Sequence, residues 1–90
     1  MSDKTWWLKC ETSKGMFPDE LAVESKTIDG LVFSFFINPI FVKEPKIEGE
    51  NYVKVWLYAN NGPSCSIKLP EYPFETSNCV NVSREQLMEA

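Results

Sequence analysis

Apolar and polar residues alternate along most of the chain, and this alternation constrains the fold more than any other feature. A repeat of two residues is the period of a half-buried β-strand, whereas an amphipathic helix repeats every 3.6 residues. The pattern predicts strands at about 5–11, 20–27, 31–37, 52–59, 64–69 and 79–82. Gly, Pro, Asn and Asp lie between them, as turns require. We therefore predict a mostly β protein.

The length of 90 residues indicates a single domain covering 1–90. Short strands and tight turns favour a small antiparallel β-barrel or a strongly bent sheet, with a short C-terminal helical turn. SH3-like barrels fit this size and strand number, and an OB-like barrel or a β-sandwich is the alternative. The SH3-like label is an analogy of architecture and implies no function.

Parity, meaning whether a loop has an odd or an even number of residues, predicts the loop of the first hairpin. A loop one residue too short would turn the hydrophobic face of one strand to solvent. A three-residue loop at 28–30 pairs Val23 with Phe35 and places both on the face that also carries Leu31. This loop consists of a type I turn followed by a left-handed residue, and Gly30 stands where that residue is needed.

The same reasoning applies to the second hairpin. A three-residue loop at 60–62 pairs Leu57 with Cys65 and Val55 with Ile67. Pro63 cannot donate a hydrogen bond to such a ladder, so a five-residue loop that preserves parity is the alternative. We predict the shorter loop.

The last eight residues are predicted to be helical. Ser83 is a suitable N-cap, and Gln86 occupies the N3 position of a capping box. Segments 37–42 and 82–87 share the order strand, cap, turn and apolar anchor, which hints at two similar half-units. A chance match over six residues is the alternative.

Charge and apolar content indicate which partners and which cellular location to expect for the protein. Thirteen acidic and nine basic residues give a net charge of −4, which weighs against binding to nucleic acid or anionic membranes. No apolar stretch approaches the roughly 20 residues that a membrane-spanning helix needs. Because we find no signal peptide, we expect a cytoplasmic protein. Three widely spaced cysteines fit reduced thiols, with Cys10 and Cys65 buried and Cys79 exposed.

Catalytic and metal sites are not predicted, and no cofactor is expected. The chain has no histidine, which is the commonest general base and metal ligand. Its cysteines lack C-x-x-C spacing, and its neighbouring carboxylates would point to opposite sides of a strand. An enzyme that depends on the thiol of Cys79 or on a carboxylate is the least favoured hypothesis. The segment at 15–20 is interpreted as a turn that tucks Met16 and Phe17 under the sheet edge.

Aromatic residues on the face opposite the core are the feature most suggestive of function. The five candidate binding residues all fall on this outer face: Trp56, Tyr58, Tyr52, Trp7 and Phe36. Exposed aromatic patches often mark protein-binding surfaces, so we predict a non-catalytic protein-interaction module that is a monomer or a weak dimer.

Two other interpretations of the aromatic face remain. A single-stranded nucleic-acid-binding OB-like barrel would stack bases on the aromatic rings. The predicted register would then place Lys54 opposite Lys68 and create a small basic spot. Alternatively, a second structural layer or the C-terminal turn covers the face, and the aromatic residues have no binding role.

Overall fold

The computed structural model describes residues 5–43, 49–71, 73 and 77–89. Seven antiparallel strands of these residues form one strongly curled sheet, a half-barrel without an α-helix in the described segments. The strands are β1 Thr5–Lys14, β2 Leu21–Lys26, β3 Val32–Ile37, β4 Gly49–Asn61, β5 Ser64–Lys68, β6 Cys79–Ser83 and β7 Leu87–Glu89. This confirms the predicted mostly β, bent-sheet fold. The strands belong to a single sheet, so the sandwich alternative is wrong.

The sheet has the strand order β3-β2-β1-β4-β5-β6, and β7 pairs with β1. One edge of β1 pairs with β4, while the other edge pairs with β2 near the end of β1 and with β7 near its start. The tip of the β2–β3 hairpin reaches the far end of the sheet, where the Ile28 amide donates to the Asn81 carbonyl at 2.9 Å. This contact holds the curled shape.

The concave face of the sheet holds the hydrophobic core, as the alternation predicts. The buried apolar residues are Leu8, Cys10, Leu21, Val23, Phe33, Phe35, Ile37, Val42, Val53, Val55, Cys65, Ile67, Leu69, Val80 and Val82. Leu31 was predicted on this face but is exposed, because β3 begins one residue later. Met16 and Phe17 are also exposed, so the prediction that they tuck under the sheet edge is wrong.

The predicted β2–β3 hairpin is confirmed. Val23 pairs with Phe35, and the Thr27 amide donates to the Leu31 carbonyl at 2.9 Å across the three-residue loop. Gly30 has a φ of 87°, the left-handed conformation that its position requires.

The predicted β4–β5 loop is wrong. Asn61 pairs with Ser64 across a two-residue loop, whose first residue, Gly62, has a φ of 75°. This is the position at which a type II′ turn requires glycine, and Pro63 follows without having to donate to the ladder. A bulge between Leu57 and Ala59 then restores the hydrophobic parity.

The bulge also changes the predicted partners. Leu57 pairs with Ile67, and Cys65 pairs with Asn60. The predicted pairings of Leu57 with Cys65 and of Val55 with Ile67 are therefore wrong, although the same residues still face the core.

The C-terminal segment is not a helix of eight residues. The predicted capping box is present, since the Gln86 side chain accepts from the Ser83 amide and the Ser83 hydroxyl accepts from the Glu85 amide. It caps only a single 3₁₀ turn, Arg84–Gln86. The chain then continues as β7, because the edge of β1 at Leu8 offers backbone partners that β2 does not occupy.

The described residues include no helix long and apolar enough to cross a membrane.

Candidate functional site

Three of the five candidate residues form a continuous group on the outer face. Trp7 on β1 lies directly opposite Lys54 on β4, so Tyr52 and Trp56 are its diagonal neighbours on the same face. All three aromatic side chains are half-buried. The sequence therefore placed them together correctly, but their rings are only partly open to solvent.

The Trp7 part of this group is covered by neighbouring side chains. The Lys43 ammonium lies 5.8 Å from the centre of the Trp7 ring, a cation–π contact. The Lys43 amide also donates to the Tyr52 carbonyl at 2.9 Å, which fixes this residue beside β4. Met88 on β7 pairs with Trp7 from the other side. Trp7 and Tyr52 are thus packed within the outer surface.

Phe36 lies apart from the other candidates. It is half-buried on β3, where it pairs with Ala22, and β2 separates it from β1. The structure does not bring it together with Trp56 or Tyr58.

Trp56 and Tyr58 line a cleft at the point where β4 and β5 meet the loop after β5. We call it the aromatic cleft, and it has a volume of about 790 Å³. Its lining residues are Trp56, Leu57, Tyr58, Lys68, Leu69, Pro70, Asn78 and Cys79. The cleft combines two aromatic rings with a few polar groups, which is the usual composition of a binding site.

The bulge explains why Tyr58 is presented in this cleft. Residues Leu57 and Ala59 pair with Ile67 and Ser66, so Tyr58 has no partner position on β5. Its side chain is 62% exposed. Its hydroxyl lies near the side chains of Cys79 and Ser66 and interacts with both.

The surroundings of the Tyr58 phenol favour its protonated form. Desolvation, followed by the interaction with Cys79, raises the pKa of Tyr58 above its ordinary value, while Ser66 lowers it by less. A protonated phenol can act as a hydrogen-bond donor or acceptor towards a ligand.

The aromatic cleft has a positive electrostatic bias. Lys68 is exposed and pairs with Trp56 on one side and with Cys79 on the other. Among the described residues, those that line the cleft include this lysine and no Asp or Glu. Lys68 pairs with Trp56 and not with Lys54, so the predicted direct pairing of the two lysines is wrong, although Lys54 is the diagonal neighbour of Lys68 on the same face.

A second cleft lies between β1 and β2 and has a different character. Its lining carries two lysines and three glutamates, with Glu24 directly opposite Glu11. An ion pair of 3.2 Å joins Lys9 to Glu50 at its edge. This cleft carries charges of both signs, whereas the described lining of the aromatic cleft is mostly uncharged, with Lys68 as its cation.

The cysteines lie where the sequence placed them. Cys10 and Cys65 are buried, and Cys79 is exposed at the aromatic cleft. Burial, with a smaller contribution from the charge of Glu11, raises the pKa of Cys10 to about 12. Among the described residues, no group of three His, Cys, Asp or Glu side chains could hold a metal ion.

Trp56 and Tyr58 were predicted as binding residues, but sequence reasoning did not place the other lining residues beside them, namely Leu57, Lys68, Leu69, Pro70, Asn78 and Cys79. The missing information was the bulge, which shifts the β4–β5 register by one residue. Gly62 followed by Pro63 was the available signal, since glycine in the first position of a two-residue loop favours a type II′ turn. A loop of two residues would place the hydrophobic residues of β4 and β5 on opposite faces of the sheet unless a bulge compensates.

Comparison with protein-family models, with curated proteins and with solved structures gives no match for this chain.

Proposed function

We propose that the protein is a non-catalytic protein-interaction module whose aromatic cleft binds an extended, acidic segment of a partner protein. The observation that carries this proposal is Tyr58, a largely exposed aromatic residue beside Trp56 in a cleft whose described lining has a lysine and no acidic residue. Tyr and Trp are the residues most enriched at the energetic centres of protein interfaces.

The local charge of the aromatic cleft favours an acidic ligand, although the net charge of the protein does not. The protein carries a net charge of −4, so an acidic ligand is repelled by most of its surface. The aromatic cleft is a local exception because Lys68 lines it and the part of its lining that the structure describes holds no carboxylate. An acidic group of the peptide would pair with Lys68 while an apolar side chain packs on Trp56 and Tyr58.

A selection from a random peptide library, followed by fluorescence anisotropy with the selected peptides, tests the proposal. We expect peptides that combine acidic with aromatic or proline residues. Tyr58→Ala should weaken their binding by roughly tenfold or more, the effect of losing an interface hot spot. Lys68→Ala should weaken binding mainly at low salt, because an exposed ion pair is screened.

Phe17→Ala is the matched control for this experiment. Phe17 is 61% exposed, nearly the same as Tyr58, but it does not line the aromatic cleft. The control should bind the selected peptides as the wild type does. Equal loss of binding in both variants, or no selective enrichment of acidic peptides, would argue against the proposal.

Single-stranded nucleic acid is the less favoured ligand. Its binding requires a basic groove with open aromatic faces. The ring of Trp7 is instead in contact with Lys43, and the protein carries a net charge of −4. Titration with an oligonucleotide at low salt distinguishes the two ligands: binding that is lost in Tyr58→Ala would favour the nucleic-acid hypothesis.

A further inference from the structure

Two parts of the chain repeat the same order of elements at nearly constant spacing. We call residues 5–43 the first half-unit and residues 49–89 the second. Each consists of three antiparallel strands, a 3₁₀ turn and a final extended segment. The 3₁₀ turns are Pro39–Phe41 and Arg84–Gln86, which begin 45 residues apart.

The two 3₁₀ turns have the same capping geometry. The N-cap residues are Asn38, with φ −68° and ψ 135°, and Ser83, with φ −71° and ψ 141°. In each, the N-cap side chain accepts from the amide two residues later. The residues after the turns, Val42 and Leu87, agree to within a few degrees and donate to equivalent carbonyl groups.

The strand register obeys the same spacing. Leu8 of β1 pairs with Val53 of β4, and these positions are 45 residues apart. Leu87 pairs with Leu8, and Val42 forms the equivalent bridge with Val53. The β1–β4 pair therefore lies on a pseudo-twofold axis. The last segment of each half-unit pairs with the first strand of the other half-unit.

The outer strands follow the same rule. Val23 pairs with Phe35 in the first half-unit, and Ile67 pairs with Val80 in the second. Both Val23 and Ile67 are fully buried. Val23 and Ile67 are one residue closer in sequence than the other pairs of equivalent positions. The reason is that the β1–β2 and β4–β5 connections differ in length, and that β4 contains the bulge.

We infer that the two half-units of one chain pack against each other as the two subunits of a twofold dimer would. The equivalent half-unit of a second copy of this chain can therefore take the place of either one. The result is a strand-exchanged dimer with two half-barrels, each assembled from the first half-unit of one copy and the second half-unit of the other. This inference is independent of the peptide-binding proposal, because it concerns the pairing of β1 with β4.

The contacts between half-units explain why exchange is possible. They include the β1–β4 ladder and the two terminal segments that cross over to it, at Leu87 and Val42. Two hydrogen bonds also join the half-units, from the Ile28 amide to the Asn81 carbonyl and from the Gln86 side chain to the Lys26 carbonyl. A second copy presents the same strands with the same side chains. Within one chain, the short connection between Lys43 and Gly49 gives the half-units a high effective concentration. The monomer therefore dominates in dilute solution, and exchange requires folding at high protein concentration.

Two full-length variants with defects in different half-units provide the test. Val23→Asp places a charge in the core of the first half-unit, and Ile67→Asp does so at the equivalent position of the second. Neither variant should fold alone, because an unpaired charge in the core is strongly destabilising. After both are unfolded in urea and refolded together, we expect a dimer with one intact half-barrel and about half of the wild-type near-ultraviolet circular dichroism per chain.

A pair of variants with defects in the same half-unit is the control. Val23→Asp mixed with Phe35→Asp leaves no intact first half-unit, so this mixture should stay unfolded. Recovery in the first mixture alone supports the inference. Failure of the first mixture to recover beyond the separate variants would overturn it, as would equal recovery in both mixtures.

Refolding of the wild type gives a second measurement that does not depend on unfolded variants. The dimer fraction, measured by size-exclusion chromatography with light scattering, should rise with the protein concentration during refolding. A monomer at every refolding concentration would overturn the inference.

Discussion

Glu24, Glu11 and Glu50 lie side by side on β2, β1 and β4, since Glu11 pairs with both of the others. Like charges directly opposite each other destabilise a sheet. The ion pair between Lys9 and Glu50 offsets part of this repulsion. Glu11→Gln should therefore raise the free energy of unfolding by about 0.5 kcal/mol, measured by urea denaturation at low salt.

Salt provides the control for the Glu11 prediction. Because the repulsion is between exposed charges, the gain should shrink as the salt concentration rises. Glu71→Gln, in an exposed position outside the strands, should leave stability almost unchanged. A Glu11→Gln variant that is less stable than the wild type would contradict the prediction.

Cys10 should make the protein sensitive to alkaline pH. Burial raises its folded-state pKa to about 12 from an ordinary value of 9.0. Above pH 9 the unfolded chain therefore loses a proton that the folded protein keeps, and stability falls as pH rises towards the folded pKa. Between pH 8 and 10 this thiol should account for a loss of about 1 kcal/mol.

Urea denaturation of Cys10→Ala and Ser13→Ala at these pH values tests that assignment. The decline between pH 8 and 10 should become smaller in Cys10→Ala, whatever the absolute stability of this variant. Ser13 is exposed and does not titrate, so Ser13→Ala should keep the wild-type decline. An unchanged decline in Cys10→Ala would show that another group is responsible.

At the scale of elements, the second 3₁₀ turn connects β6 to β7 and anchors the β2–β3 hairpin. The Gln86 side chain accepts from the Ser83 amide at 2.8 Å and donates to the Lys26 carbonyl at 3.0 Å. This one side chain therefore completes the capping box and joins the turn to β2. Loss of the Gln86 side chain would remove both of these hydrogen bonds to backbone groups.

Ser83→Ala should lower the free energy of unfolding by about 1 kcal/mol, the usual cost of losing an N-cap side chain. Hydrogen exchange in β7 should also become faster, because the turn sets the position of that strand. Ser13→Ala, at an exposed position on β1, is the control and should change stability by less than about 0.5 kcal/mol. Equal stability of Ser83→Ala and the wild type would mean that the cap does not contribute.

The two-residue loop between β4 and β5 depends on Gly62. Its φ of 75° is unfavourable for any residue with a Cβ atom, although open space surrounds the position. Gly62→Ala should therefore destabilise the protein by about 1 kcal/mol through backbone strain alone. Asn61→Ala in the same hairpin is the comparison. If both substitutions have the same small effect on thermal unfolding, the turn assignment is wrong.

At the scale of the whole molecule, the sequence predicted the strands and the core well because the alternate residues that are hydrophobic in each strand are also the residues that are buried. The first hairpin followed from that parity together with Gly30. The β4–β5 register could not be obtained this way, since a bulge restores parity after a loop that parity alone excludes. The bulge also exposes Tyr58 and opens the aromatic cleft, so the site was predicted only in part.

The C-terminal strand was missed for a different reason. Leu87–Glu89 is too short for its alternation to indicate a strand, and the capping box before it resembles the start of a helix. Its conformation is fixed by tertiary pairing with β1, which no local pattern encodes. The similarity of segments 37–42 and 82–87, by contrast, was visible in the sequence and corresponds to two equivalent 3₁₀ turns.

The binding site proposed at the β4–β5 hairpin is the central claim, and amide chemical shifts of the ¹⁵N-labelled protein test it most directly. On titration with a selected acidic peptide, the account predicts the largest shift changes at residues 56–58, 68–70 and 78–79. Residues around Phe36 and Phe17 should change little. Changes centred on Trp7, on Phe36 or on the charged cleft between β1 and β2 would contradict it.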